Sequence, residues 1–444
     1  MALYSLSSEL ILEILHDLSF SDLMSFYLCS RRLYTITQPL IYSTFTQTGQ
    51  HALPNLLRSI LARPQLATYI KNLDLSILGP TRSYSFSDID TSFLSESDRA
   101  CIRARLLSAG WSKEWVRDWV TRLTTDKDNW DAAAGLLICL CSQSLESIAL
   151  HGGERIETKT LRSTLEYAAS EPTYLPKLRR LSLSSTARKK FGDNLIFSQF
   201  LCPELLSSAL KFQQWEEISL QGLRCPAPPK GGTQIAGTVA ALLHSPPGPL
   251  PTKKLSFKDC QMNARVTEDF LSRFNSLTHF KYESETYVVS GTYLPDMHIK
   301  NALWNSRTTL THLSLDPSEE WYEFARGSGP YEPVLGDMRA FTALRYLEVD
   351  DLMLTGGTLD IDDVGEDMQF YTSEKCIIFA HGFPHSLQTL VIQRWGRLED
   401  FLPGPFEALL DAGMVARPRR VVGHRNCSWS TRIRFELRLT MWNE

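Results

Sequence analysis

Residues 310–315 read Leu310-Thr311-His312-Leu313-Ser314-Leu315, and residues 344–349 read Leu344-Arg345-Tyr346-Leu347-Glu348-Val349. Both follow one pattern, apolar-x-x-Leu-x-apolar, in which the last two apolar positions alternate with polar ones as a half-buried strand requires. The pattern recurs at Ile70/Leu73/Leu75, Leu145/Ile148/Leu150, Leu178/Leu181/Leu183, Trp215/Ile218/Leu220, Leu255/Phe257, Leu277/Phe280/Tyr282 and Leu387/Leu390/Ile392, nine instances in all. Anchored on the second apolar position, the intervals are 75, 33, 37, 37, 25, 33, 34 and 43 residues, so a repeat of thirty-odd residues carries one long insertion. Helices are predicted between strands, at 159–169, 235–244, 266–274 and 401–412. Strand, connection and helix at this period give an α/β fold: a curved parallel-sheet solenoid with helices outside and strands lining the concave face.

Residues one before, one after and three after each anchor project onto that concave face. Of these 27 positions all but Ala149 and Val391 are polar or amphipathic, which fixes the register, because a slip of one residue would bury the charges. Lys254, Lys258 and Lys281, with His279 and His312, form a basic middle; Asp316, Glu348 and Asp350 form an acidic stretch beyond, and Arg180 adds a cation earlier. These nine are the candidate substrate-binding residues, and the basic middle among them is suited to an acidic or phosphorylated segment of a partner. The alternative is a solvated face with no partner. Residues 346–374 carry nine acids and no base, and 415–438 seven Arg and one Glu; both read as solvated rims that pair with each other or with water. The strand pattern resembles leucine-rich repeats, although the period exceeds theirs and the consensus Asn or Cys after the strand occurs only at Cys260.

The insertion, 79–131, has its own character. Residues 81–98 hold eight Ser/Thr in eighteen and read as an exposed loop, after which helices are predicted at 98–109 and 112–125. Trp111, Trp115, Trp119 and Leu123 fall at four-residue steps and make one stripe, read as core. A second interruption, 225–251, holds seven of the 22 prolines.

Ahead of the repeats, residues 3–42 have helical spacing throughout. Ser7 or Ser8 caps a first helix with Glu9 at its positive end, Ser19 and Asp22 form an S-x-x-D start for a second, and Pro39 is expected to stop a third. Leu10, Ile14 and Leu18 share one face and Ile11 and Leu15 lie beside them, so the apolar surface wraps most of the first helix. About 40 residues cannot cover such a helix from one small core. Part of that surface therefore meets either the rest of the chain or another protein.

The order Leu6-x-x-Glu9-Leu10, Ile14-Leu15, Leu18-Ser19, Asp22-Leu23, Ser30-Arg31 and Pro39-Leu40-Ile41-Tyr42 resembles an F-box, with Ser7 where that family usually has Pro and Leu33-Tyr34 where it often has Trp. The resemblance implies domains at 1–45 (F-box) and 46–444 (solenoid), the arrangement of fungal F-box/leucine-rich-repeat proteins. It implies docking on the Skp adaptor of a cullin-RING ubiquitin ligase through Leu6, Glu9, Leu10, Ile14, Leu15, Leu18, Asp22 and Leu23.

Other chemistry is hard to place in this sequence. The 444 residues carry 46 Lys+Arg against 50 Asp+Glu, so no net charge draws the chain to nucleic acid or anionic membrane. The longest apolar stretch, 132–141, is about half of a membrane span, and an acidic N-terminus does not read as a secretory signal. Nine scattered cysteines without CxxC suggest reduced thiols and a cytoplasmic or nuclear location. There is no G-x-S-x-G, P-loop, G-x-G-x-x-G or H-E-x-x-H. Asp360-Ile361-Asp362-Asp363 opens like a calcium loop but has Tyr371 at its twelfth position, and His381 and His385 have no cysteine partners. The expectation is a non-catalytic chain without cofactor or metal: a ligase receptor subunit that brings an unknown protein substrate to the cullin arm, or a plain interaction scaffold outside any ligase.

Overall fold

The computed structural model describes residues 6–49, 51–75, 94–125, 129–151, 158–171, 173–184, 188–191, 194–197, 203–225, 249–262, 264–283, 299–316, 335, 337–350, 382–396 and 431–438. The chain divides into two compact units, Met1–Ala187 with Glu204–Phe212, and Arg188–Pro203 with Gln213–Glu444.

The first unit opens with α1 (Ser8–His16), α2 (Phe20–Cys29) and α3 (Arg31–Ile41). Each begins on a serine whose hydroxyl accepts an early amide: Ser7 from Leu10 at 3.4 Å, Ser19 from Asp22 at 3.2 Å and Ser30 from Leu33 at 3.2 Å. Pro39 does not end α3. The helix runs two residues past it, to Ile41. In the last turn the missing N–H costs a single helical hydrogen bond, and the Tyr42 amide closes the end on the Gln38 carbonyl at 3.1 Å.

Beyond these helices come β1 (Thr44–Thr46), α4 (Ala52–Ala62), β2 (Asn72–Leu75), α5 (Glu96–Ser108), α6 (Lys113–Thr125), α7 (Asn129–Leu140), β3 (Ser147–His151), α8 (Lys159–Ser170), β4 (Arg180–Ser184) and α9 (Pro203–Leu210). Strands β1 to β4 are parallel and adjacent, with Phe45, Leu73, Ile148 and Leu181 opposite one another. The entry to each strand is pinned by a repeated device: the carbonyl just ahead of one strand accepts two consecutive amides of the next. Ser43 receives Lys71 and Asn72, Lys71 receives Glu146 and Ser147, and Glu146 receives Arg179 and Arg180, all at 2.7–3.2 Å.

The region read as an insertion supplies the helical layer of this unit. Helix α7 packs against α4, α6 and α8, and the tryptophan stripe lies within: Trp119 and Leu123 are fully buried, and Trp111, Trp115 and Trp119 meet at 4.8–5.2 Å. The Trp119 indole N–H donates to the Ala132 carbonyl at 2.8 Å, and that of Trp130 to Gln47 Oε1 at 3.0 Å.

The second unit contains a hairpin, β5 (Arg188–Phe191) with β6 (Asn194–Phe197), and a short parallel pair, β8 (Arg224–Cys225) with β10 (Gln261–Met262). Its main sheet takes β7 (Glu217–Gln221), β9 (Lys254–Lys258), β11 (His279–Glu283), β12 (His312–Asp316), β13 (Tyr346–Asp350) and β14 (Thr389–Gly396) in parallel, then β15 (Thr431–Arg438) antiparallel on β14. Ile218, Leu255, Phe280, Leu313, Leu347 and Leu390 stand in one row across the six parallel strands. The carbonyl device returns: Glu216, Lys253, Thr278, Thr311 and Arg345 each accept two successive amides from the following strand. Helices α10 (Ala264–Leu271) and α11 (Ile299–Ala302) lie between strands, and Phe257, Phe270, Phe274 and Phe280 pack at 5.2–6.1 Å beneath them.

All nine strands read from the sequence are present, and every anchor is at most 2% exposed. The architecture is α/β with open, mainly parallel sheet, consistent with an α/β solenoid. Six strands among the described residues add to the reading: β1 and β15 in the main sheets, the hairpin β5–β6 and the short pair β8–β10; β15 lies in the Arg-rich stretch taken for a solvated rim. The helices expected at 235–244 and 401–412, most of the acidic run 346–374, most of the Ser/Thr-rich loop and nearly all of 225–251 lie outside the described residues. No helix among the described residues is long and apolar enough to cross a membrane.

Candidate functional site

Two surfaces carry the residues singled out from the sequence, one in each unit. The first is the N-terminal helical module. Its own core is Ile11, Leu15 and Leu33, with Leu6, Leu18, Leu23, Phe26, Ile36 and Leu40 partly buried against it. Leu15 is wholly enclosed, so among the eight expected docking residues it serves as interior, and Leu6, Leu18 and Leu23 divide their surface between core and solvent. Glu9 and Asp22 are exposed, with Asp22 Oδ2 accepting the Ser19 hydroxyl at 2.7 Å. Arg32 ties α3 to the start of the module by donating to the Leu6 carbonyl at 2.7 Å, and Arg63 holds α3 from below by donating to the Tyr34 hydroxyl at 3.1 Å.

Four large apolar side chains of the module are also left outside. Leu10 and Ile14, one turn apart on α1, are 49% and 42% exposed; Phe20 and Leu28, two turns apart on α2, are 64% and 77% exposed, with the half-buried Met24 between them. Helix α2 buries no residue fully. Single exposed apolar side chains are ordinary, but α1 and α2 each carry exposed apolar residues at helical spacing, so each presents an apolar stripe. Phe20 and Leu28 were not among the expected docking residues. Their signal was the i, i+4, i+8 spacing of Phe20, Met24 and Leu28, which reads as core until the helix that takes the other side is known.

The second surface is the polar face of the sheet in the second unit. At the first outward position Glu217, Lys254, His279, His312, Tyr346 and Thr389 stand opposite one another on six adjacent strands. The His279 and His312 rings stack with centroids 4.2 Å apart and planes within 9°, and Tyr346 continues the stack 5.6 Å from His312. Burial first, then the charges of His312 and Lys254, hold the His279 imidazole below its ordinary range, against the pull of Glu217. Burial, then Arg345 and Lys254, do the same to His312.

Lys258 and Lys281 converge on one acid, Glu283, at 4.0 and 2.9 Å. Glu348 accepts from the Ser314 hydroxyl at 2.9 Å and from the Tyr346 hydroxyl at 3.1 Å. Not every outward position is open. Asp316 is only 9% exposed, Ser314 8% and Val391 wholly buried, so β12 and β14 are covered at these positions and Asp316 is a buried member of the expected contact set. Asp350 is placed only by its backbone, opposite Gln393. Arg180 belongs to the first unit, where it reaches Asn72 at 3.1 Å and Glu146 at 3.8 Å.

Among the described residues no group of three or more His, Cys, Asp or Glu could hold a metal ion. Cys139 and Cys141 are buried, and burial pushes both thiols up, Cys139 to about 12, far from a reactive thiolate. No protein-family model matches the chain, and comparison with curated proteins finds no match.

Proposed function

We propose that the chain is a non-catalytic substrate-recognition subunit of a Skp-cullin-F-box ubiquitin ligase. The N-terminal module docks on the Skp adaptor, and the repeat region, an irregular leucine-rich-repeat-like solenoid with its strands on the concave face, holds a target protein. Its contribution is proximity, raising the effective concentration of target beside the conjugating enzyme. The observation that carries this reading is the exposed apolar stripe of Leu10 and Ile14 on a capped three-helix module whose core is already filled by Ile11, Leu15 and Leu33. An uncovered stripe of that kind fits a helical partner, and the order of residues along it is the order that resembles an F-box. Phe20 and Leu28 extend the docking surface beyond the residues that the resemblance supplies.

The test is co-purification of the intact chain with the Skp adaptor and cullin, alongside a Leu10→Asp/Ile14→Asp variant of unchanged thermal stability. Capture by the intact chain alone supports the ligase assignment. Failure of the folded intact chain to capture the adaptor removes it and leaves an interaction scaffold.

A further inference from the structure

The stacked imidazoles of the second unit are locked in one orientation. The Thr278 hydroxyl donates to the Lys253 carbonyl at 3.0 Å, and the Thr311 hydroxyl to the Thr278 carbonyl at 2.8 Å. Each hydroxyl also lies 2.9 Å from the Nδ1 of the histidine that follows it. A hydroxyl has a single proton, already given to the carbonyl, so the pairing assigns the proton of each neutral ring to Nδ1. The Nε2 of His279 and of His312 is then left as a bare acceptor at the far edge of the ring, and no hydrogen bond from the described residues engages either atom.

The two Nε2 atoms sit side by side on adjacent strands, ready to take up a proton. The stacking also decides what can bind. Ring faces are turned to each other and to Tyr346, so the surface offers edges and cations rather than an open face on which a nucleobase would stack. Parallel rings 4.2 Å apart aim their lone pairs side by side instead of at one point, which does not suit a shared metal ion.

The charged groups around the pair come from every neighbouring strand: Lys254 on β9, Glu217 on β7, Lys281 and Glu283 on β11 itself, and Arg345 and Glu348 at β13. Glu283 is shared by two lysines and Glu348 is taken by two hydroxyls, while Lys254 and Arg345 form no ion pair among the described residues. The named cations and carboxylates are equal in number, but at the imidazoles the cations act more strongly: Lys254 outweighs Glu217 at His279, and Arg345 and Lys254 both act against a positive charge on His312. We propose that the His279–His312 pair, with Lys254 and Arg345, is the binding site for an acidic segment of a partner protein, and that binding takes up a proton at Nε2.

The proposal rests on the receptor reading above and names the chemistry of its target site. Burial first, and then the nearby cations, now disfavour imidazolium, and an anion seated over the two edges works against that penalty. The imidazole pKa rises on binding, so affinity strengthens below the free-state pKa and is lost as pH rises through the bound-state value. Uptake of one proton by the stacked pair corresponds to about tenfold in affinity per pH unit.

The experiment is fluorescence anisotropy of a labelled oligoglutamate peptide with the full chain between about pH 7.5 and 5.5, where imidazoles titrate and glutamates stay ionised. Oligoglutamine of the same length and a single-stranded oligonucleotide are the comparison probes. The expected result is tightening of oligoglutamate on acidification, a flat profile for His279→Gln/His312→Gln, and for Lys254→Gln a weaker binding that keeps its slope. The proposal is overturned by a slope that survives in the histidine variant, by no oligoglutamate binding at the acid end, or by equal binding of oligoglutamine. Tighter binding of the oligonucleotide than of the peptide overturns the choice of partner. Adaptor capture, which uses the other unit, reads the ligase assignment separately, so either can fail alone.

Discussion

Helix α8 begins without a cap of its own, because the Thr158 side chain makes no capping hydrogen bond. The cap comes from another helix. Asp131, in the first turn of α7 and 2% exposed, accepts the Thr160 amide on Oδ2 at 2.6 Å and the Leu161 amide on Oδ1 at 2.9 Å. Asp131→Ala leaves two buried N–H groups without an acceptor and removes a carboxylate from the positive end of a helix. Each charge-assisted bond is worth about 1.5–3 kcal/mol, and the desolvation that no longer opposes folding returns part of it, so the net cost is about 3–4 kcal/mol.

Asp131→Asn keeps one acceptor oxygen and should cost about half as much. Urea unfolding followed by tryptophan fluorescence reads this directly, since Trp111, Trp119 and Trp130 lie in the same helical layer. At a slope of roughly 2 kcal/mol per molar urea, the alanine variant lowers the midpoint of that transition by about 1.5–2 M. A loss below about 1 kcal/mol, or equal losses for Ala and Asn, would refute the view that Asp131 is the cap of α8.

Further expectations follow from the same geometry. Glu166 on α8 is pushed up by burial, but hydrogen bonds from Lys211 and Ser208, each 2.8 Å, hold it below its ordinary value. Its stabilisation is present above the unfolded-state carboxylate range and fades as pH falls through the lowered folded value, so the advantage of the wild type over Glu166→Gln in thermal midpoint should shrink on acidification; a constant difference would contradict this. Gly110 has φ +93°, and a Cβ there would lie 2.6 Å from the Tyr167 hydroxyl oxygen, so Gly110→Ala should cost about 1–3 kcal/mol in chemical denaturation. Leu15→Ala should cost about 2–5 kcal/mol, whereas Leu10→Ala should stay within about 0.5 kcal/mol; equal costs would contradict the division of α1 into inner and outer faces.

The strands were legible because their code is short and local. An anchor, a polar residue and a second apolar residue give alternation with period two, and burying Leu73, Ile148, Leu313 or Leu347 leaves no freedom in which face each neighbour takes. Strand β1 escaped because three residues, Thr44–Thr46, hold a single apolar side chain, Phe45, and its pairing with Leu73 depends on how the chain returns. The helices of the insertion could be read, but not their place, since what seats α7 is Gly135, where an added Cβ would meet Trp119 at 3.0 Å, and the bond from Trp130 to Gln47.

On α1 the sequence showed an apolar wrap without showing which part α3 would claim. Leu33 settles against Ile11 and Leu15, and that choice leaves Leu10 and Ile14 outside. The histidines were visible as concave-face residues, but their stacking was not. Rings 33 residues apart become neighbours only when the Thr278 and Thr311 carbonyls pin successive strands in register.

The claim that the outer face of α1 docks on the Skp adaptor is tested most directly by titrating purified adaptor into the intact chain and into Leu10→Asp/Ile14→Asp by calorimetry. The account predicts saturable binding by the intact chain and a loss of about 100-fold or more in the variant, with the unfolding midpoint unchanged. Binding that survives the double substitution, or no binding by the folded intact chain, would contradict it.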